Sequence, residues 1–231
     1  QLSYVLGTSS NVFAPACAPV DVDNSLNGTL VEQFAALIAE PGQEETSVHQ
    51  LFGLFPNPFQ GLAGSPEVSG LSTLELVDGG IGIGYQGNPI WPFLNRPEVD
   101  VIIVNENSAD TVDSYPDGTQ IVNSYLAAKE AGLTRMPEIP SQETFVKEHL
   151  NQKPTFFGCE DPEVATIIFI PNYNYTYPSG QSTGKIQYDV DETRGMIDNG
   201  VQVGNYGGKK NWPRCLACGI TKKSAKTLPE G

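Results

Sequence analysis

Val99-Asp100-Val101-Ile102-Ile103-Val104 is the stretch on which the fold turns. It is apolar on successive residues rather than on alternate ones. Such a run reads as a strand buried on both faces, the habit of parallel sheets. Downstream, Asn107-Ser108-Ala109-Asp110 closes the strand, and Thr119 to Ala131 carries a helical pattern. Ser141 to Leu150 reads as another helix, with Ser141 and Thr144 as candidate caps. Ala165 to Ile170 is a further strand of the buried type, ended by Pro171. The tyrosine-rich loop Tyr173 to Tyr177 follows, then a helix over Asp189 to Asn199 and a closing helix within Trp212 to Lys226. Upstream, Leu74 to Val77 is a short strand that delivers Asp78 to its C-terminal end, where Gly79-Gly80 lets the backbone turn away. Phe52 to Phe59 is interrupted by Pro56-Asn57-Pro58 and is expected to be irregular. Gly61 to Gly70 reads as loop. Leu30, Val31, Phe34, Leu37 and Ile38 share one face of a helix over Thr29 to Glu40, and Leu2 to Leu6 forms an apolar opening run. Strands alternating with helices predict an α/β fold, a mostly parallel sheet flanked by helices, in one domain over 1–231.

Composition narrows the partners. The 231 residues contain 27 Asp+Glu against 13 Lys+Arg, a formal charge of -14. So acidic a surface does not attract nucleic acid or anionic membranes. No apolar run reaches the roughly 18 residues of a membrane span. Asn27-Gly28-Thr29 and Asn174-Tyr175-Thr176 are glycosylation sequons. Together with an even number of cysteines (Cys17, Cys159, Cys215, Cys218) they predict a secreted protein with Asn27 and Asn174 as glycan acceptors. The four cysteines are disulfide candidates, and three pairings are open. Cys215-Leu216-Ala217-Cys218 is a lone CxxC without the second ligand pair that zinc requires, so no metal is expected.

Three constellations could carry chemistry. Gly180-Gln181-Ser182-Thr183-Gly184 spells G-x-S-x-G, but a nucleophile elbow needs a strand before it and a helix after it. Tyr173 to Ser179 is aromatic and broken by Pro178, so the motif reads as loop. His49 and His149 both precede Ser182, which defeats the Ser, Asp, His chain order of α/β-hydrolases. Asp78 is the third candidate, a carboxylate at a strand end, where α/β active sites gather. On local grounds alone, an Asp before two glycines is as readily a turn. Asp110 also follows a strand but reads more naturally as a turn cap. The glycine-rich run Gly82 to Pro89, without a Walker lysine, is expected to be a flexible connection rather than a phosphate-binding loop.

Glu75-Leu76-Val77-Asp78-Gly79-Gly80, followed by Gln86, Asn88 and Pro89, resembles the C-terminal half of the fungal lysophospholipases (phospholipase B), relatives of the cytosolic phospholipase A2 catalytic domain. The resemblance runs through Val5 to Ser10, Pro56-Asn57-Pro58-Phe59, Val99 to Ile102, Ser108-Ala109-Asp110-Thr111 and Tyr115-Pro116-Asp117-Gly118-Thr119. It continues through Pro137 to Pro140, Pro154-Thr155-Phe156-Phe157-Gly158-Cys159, Ile170 to Tyr173, and Trp212 with Cys215 to Cys218. Ile81 to Gly84 departs from the more polar run of the family.

The resemblance implies a cytosolic phospholipase A2-like fold of which only the C-terminal part is present. It implies hydrolysis of fatty-acyl esters of lysophospholipids by a Ser/Asp dyad without metal or cofactor, and it places the aspartate at Asp78. The serine and oxyanion loop would come from an N-terminal segment of the same precursor. The abrupt apolar start at Leu2 to Leu6 is expected on that reading, as is inactivity of this chain without its partner segment. The rival reading is a secreted non-catalytic binding or structural domain, which the lack of a credible nucleophile in these residues favours. In either case Tyr173, Tyr175 and Tyr177 are expected to serve packing and loop ordering.

Overall fold

The computed structural model describes residues 5, 53–76, 78, 87–182, 185 and 187–223. The chain divides into two compact units, Gln1–Tyr85 and Gln86–Gly231. The expected helix over Thr29 to Glu40 and the opening run lie outside the described residues.

In the first unit β1 (Gly53–Pro56) pairs antiparallel with β2 (Thr73–Leu76), Gly53 opposite Leu76 and Pro56 opposite Thr73. The stretch around Pro56 was expected to be irregular. It forms a strand because β1 is an edge strand of a two-stranded sheet among the described residues, where the missing N–H of Pro56 is tolerated. A one-turn helix, α1 (Pro66–Ser69), interrupts the connecting loop. Asn57 organises this loop. Its Nδ2 donates to the carbonyls of Val68 (2.6 Å) and Leu71 (2.7 Å), and its Oδ1 accepts from the Phe59 N–H (2.9 Å). An amide side chain that serves three backbone groups accounts for Asn57 standing between two prolines.

The second unit begins with α2 (Trp91–Leu94) and is built on a three-stranded sheet among the described residues, ordered β3 (Val101–Glu106), β5 (Thr166–Pro171), β4 (Thr155–Phe157). β3 and β5 are parallel, and β4 runs antiparallel to β5. The described sheets are therefore mixed rather than mostly parallel. β4 reaches β5 through a short turn, and a short turn can only reverse the chain. β5 is buried at all six positions, as its unbroken apolar run predicts.

Helices cover both faces of this sheet. On one face α3 (Thr119–Glu130) and α4 (Gln142–Lys147) bury Ile121, Ala128 and Phe145 against Ile102, Val104, Phe157, Ile167 and Phe169. The Phe145 and Phe169 rings meet edge to face at 5.5 Å. Ser141 caps α4 by accepting from the Thr144 N–H at 3.3 Å. Gly118 precedes α3 with φ +94°, and a Cβ there would stand 2.5 Å from Phe145 Cγ, so only glycine fits. On the other face α5 (Val190–Gly204) and α6 (Trp212–Thr221) set Val203 and Trp212 against Ile168 and Ile170. This second layer reaches Val101 on β3 but leaves Ile103 52% exposed. β3 is thus covered on one face and only partly on the other, where both faces were expected to be buried.

Candidate active site

Asp78 lies two residues beyond the end of β2 and is half-buried. Val77, Gly79 and Gly80 lie outside the described residues. The expectation of a parallel strand before it is corrected, since β2 pairs antiparallel with β1 alone among the described residues.

A parallel strand end does occur at β3, and there the sequence reading missed a residue. Glu106 closes β3 with 4% exposure. Its carboxylate accepts from Asn88 Nδ2 and from the Ser108 N–H (2.9 Å). Burial pushes its carboxyl above the usual glutamate range, the two hydrogen bonds oppose that rise, and the nearby Asp110 charge adds to it. The only sequence signal was its in-facing register behind Ile102 and Val104, which the polar neighbours Asn105 and Asn107 concealed.

Folded Glu106 retains its proton over a window above 4.5 in which the unfolded chain has lost it. Its contribution therefore falls as pH rises through that window, with a slope of at most about 1.4 kcal/mol per pH unit. Glu106→Gln is expected to remove this slope, read as urea-unfolding free energies compared between pH 5 and pH 8. Equal slopes in the two proteins would contradict it.

Asp110 is expected as a local turn cap and instead ties the loop to residues seven and ten positions on. Its carboxylate accepts from Ser108 Oγ (2.5 Å), Gln120 Nε2 (3.0 Å) and the Asp117 N–H (3.4 Å). Asp117 extends the net by accepting from the Thr119 N–H (2.9 Å) and Gln142 Nε2 (2.5 Å). These bonds give the Ser108-Ala109-Asp110 and Asp117-Gly118-Thr119 stretches a physical role, which is to lock the loop between β3 and α3.

A cavity of about 390 Å3 opens beside the ends of β3 and β5, walled by Asn105, Asn107, Asn172 and Ser179 and floored by Met196 and Val203. Ligand sites of α/β proteins gather outside the carboxyl ends of parallel strands. Its rim is fixed by Asn199, a fully buried residue of α5. Asn199 Oδ1 accepts from the N–H groups of Tyr175 (2.9 Å), Thr176 (3.0 Å) and Tyr177 (3.4 Å). Its Nδ2 donates to the Tyr173 carbonyl (2.9 Å) and to Ser179 Oγ (2.7 Å). The tyrosine loop is thereby ordered from within. Tyr175 packs under α5 and α6, donates its hydroxyl to the Gln152 carbonyl at 3.2 Å, and has its phenol pushed up to about 12, chiefly by burial. Asn174 between them is exposed.

The remaining candidates separate. Gly180 to Ser182 is irregular chain with no strand immediately before it, which removes the nucleophile elbow; Thr183 and Gly184 lie outside the described residues. His149 is exposed and left-handed at φ 54°. Gly82, Gly84 and Gly87 have G-x-G-x-x-G spacing, and Gly82 and Gly84 lie outside the described residues; among the described residues the strand before them, β2, is antiparallel and the helix after them, α2, has four residues, unlike the strand–turn–helix setting of a dinucleotide site. Cys159, Cys215 and Cys218 are free thiols drawn to the wall of one cavity. Asn27, His49 and Cys17 lie outside the described residues. No helix among the described residues is long and apolar enough to cross a membrane.

The lysophospholipase catalytic domain model matches residues 1–229. The chain is 33% identical to "Lysophospholipase 2" of Aspergillus fumigatus over 96% of its own length and 38% of that protein. It is 32% identical to "Phospholipase B" of Cryptococcus neoformans over 97% of its length and 35% of that protein. With "Lysophospholipase 1" of Schizosaccharomyces pombe it shares 29% over 97% of its length and 39% of that protein. The chain thus spans well under half the length of these curated relatives. No solved structure matches it. A match over nearly every residue, with the Asp78-Gly79-Gly80 stretch and the Asn57 and Asp117 loops inside it, shows that the chain belongs to the lysophospholipase catalytic domain family.

Proposed function

We propose that this chain is the C-terminal segment of a secreted catalytic domain that hydrolyses the fatty-acyl ester of lysophospholipids, with diacyl phospholipids as a second substrate class. The observation that carries the reading is the family match over residues 1–229, which contains Asp78-Gly79-Gly80 but no credible nucleophile. Asp78 is the base of a Ser/Asp dyad, and the serine belongs to an N-terminal segment of the same precursor. The fold of the complete domain is that of the cytosolic phospholipase A2 relatives. Asn27 and Asn174 carry glycans, and the exposure of Asn174 supports its share of this.

The chemistry needs little from this chain beyond a carboxylate. Asp78 takes the serine proton as the oxygen attacks the acyl carbonyl, then returns it to the departing glycerol oxygen. Water hydrolyses the acyl-enzyme by the same route. A free aspartate, with a pKa near about 3.9, is a weak base for a hydroxyl. The rest of the barrier is lowered by backbone N–H groups of the partner segment, which hold the oxyanion.

The test is fatty-acid release from lysophosphatidylcholine by this chain alone and by this chain joined to the preceding segment. Activity is expected only in the second preparation. Turnover by the chain alone would show that the nucleophile lies within these residues, and inactivity of the joined protein would favour the non-catalytic binding domain.

A further inference from the structure

We propose that Cys159 and Cys218 form a disulfide that fastens the turn after β4 to α6, with Cys215 left as the neighbouring free thiol. This goes beyond the lipase reading and does not depend on it.

A cavity of about 890 Å3 brings the three thiols together. Phe156, Gly158 and Cys159 from the end of β4 line it together with Cys215, Cys218 and Lys222. Cys215 and Cys218 are three residues apart on α6 and share one face. Three contacts bring that face against the β4 turn. The Phe156 and Trp212 rings stand 5.9 Å apart at the start of the helix. A Cβ on Gly219 would lie 2.3 Å from Phe156 Cε1, so only glycine permits α6 to come this close beside Cys218. At the helix end Lys222 Nζ donates to the Glu160 carboxylate, one residue past Cys159.

The choice of partner follows from the same end of the helix. Lys222, which holds Glu160 beside Cys159, stands about one helical turn beyond Cys218 and about two beyond Cys215. Cys218 is therefore the α6 thiol on the Cys159 side, and Cys215 sits one turn back. Cys215 and Cys218 are exposed and Cys159 is half-buried, so an oxidant can reach all three. Among the described residues no group of three His, Cys, Asp or Glu could hold a metal ion.

The bond forms by exchange with a small disulfide such as oxidised glutathione. Cys218 thiolate attacks one glutathione sulfur and releases glutathione thiolate. Cys159 thiolate then attacks the Cys218 sulfur and releases the second. Two electrons pass from the protein thiols to glutathione disulfide, and two thiol protons pass to the released thiolates.

The experiment is peptide mass mapping of the full chain equilibrated with oxidised glutathione, alkylated with iodoacetamide without reduction, and digested. The expected result is a cross-linked peptide pair containing Cys159 and Cys218, with Cys215 alkylated. The link persists in Cys215→Ser and is lost in Cys218→Ser. Reduction of the wild type lowers Tm by more than about 5 °C, since the bond closes a long loop. Alkylation of both Cys159 and Cys218, or a link from Cys159 to Cys17 or Cys215, would overturn the assignment.

Discussion

In the complete catalytic domain, Asp78→Asn is expected to lower kcat/KM on lysophosphatidylcholine by about 10³-fold or more, leaving the far-UV spectrum and the unfolding midpoint close to wild type. The substitution keeps the shape of the side chain and removes the one property the dyad needs. An amide oxygen cannot take a proton from a serine hydroxyl at neutral pH. Of the two histidines of this chain, His149 is exposed on a left-handed turn and His49 lies outside the described residues. Asp110→Asn is the control. That carboxylate is engaged by Ser108, Gln120 and the Asp117 backbone, so its loss should weaken folding before it touches the chemical step. Turnover that survives in Asp78→Asn and disappears in a folded Asp110→Asn would reverse the assignment.

The contrast between these two aspartates shows how much the sequence could disclose. Both follow short apolar runs, and local chemistry suggests a turn for each. The resemblance singles out Asp78, while hydrogen-bond geometry makes Asp110 a longer-range tie where Ser108-Ala109-Asp110 suggested a local cap. Long apolar or strongly capped elements were legible. β5 is an uninterrupted buried run, α4 carries Ser141 at its cap, and α5 carries Asp189, which accepts from the Glu192 N–H at 2.7 Å. Elements whose identity depends on a distant partner were not legible. β4 is three residues long and exists because β5 is there to pair with it. β1 hides behind prolines and is fixed by β2. Glu106 is an acid that burial turns into a candidate functional group, and burial is a property of the folded unit rather than of a polar strand end.

α5 gives the sharpest case, because the sequence reading ended that helix at Asn199 and the structure carries it on to Gly204. Asparagine in a helix interior competes for backbone groups and usually marks an end. Asn199 satisfies that tendency sideways, toward a neighbouring loop, and so the helix continues. The expected consequence is that Asn199→Ala costs about 3–5 kcal/mol of stability, measured by urea unfolding. Tyr175 N–H and the Tyr173 carbonyl retain a bond to each other at 3.0 Å. The N–H groups of Thr176 and Tyr177 lose their side-chain acceptor and Ser179 loses a donor. Asn199→Asp separates the two sides of the amide. It keeps the oxygen that faces three N–H groups but sets a negative oxygen against the Tyr173 carbonyl. Its carboxyl is therefore expected to prefer the protonated form when folded. By linkage this variant gains more stability as pH falls than the alanine variant does. A loss below about 1 kcal/mol in Asn199→Ala would mean that water replaces the amide without penalty and that the tyrosine loop does not depend on α5. A loss of the expected size would also reach the cavity beside β3 and β5. Ser179 on its wall accepts from Asn199 Nδ2 at 2.7 Å and donates to Asn172 Oδ1 at 2.8 Å, so removal of the Asn199 amide frees one side of that hydroxyl.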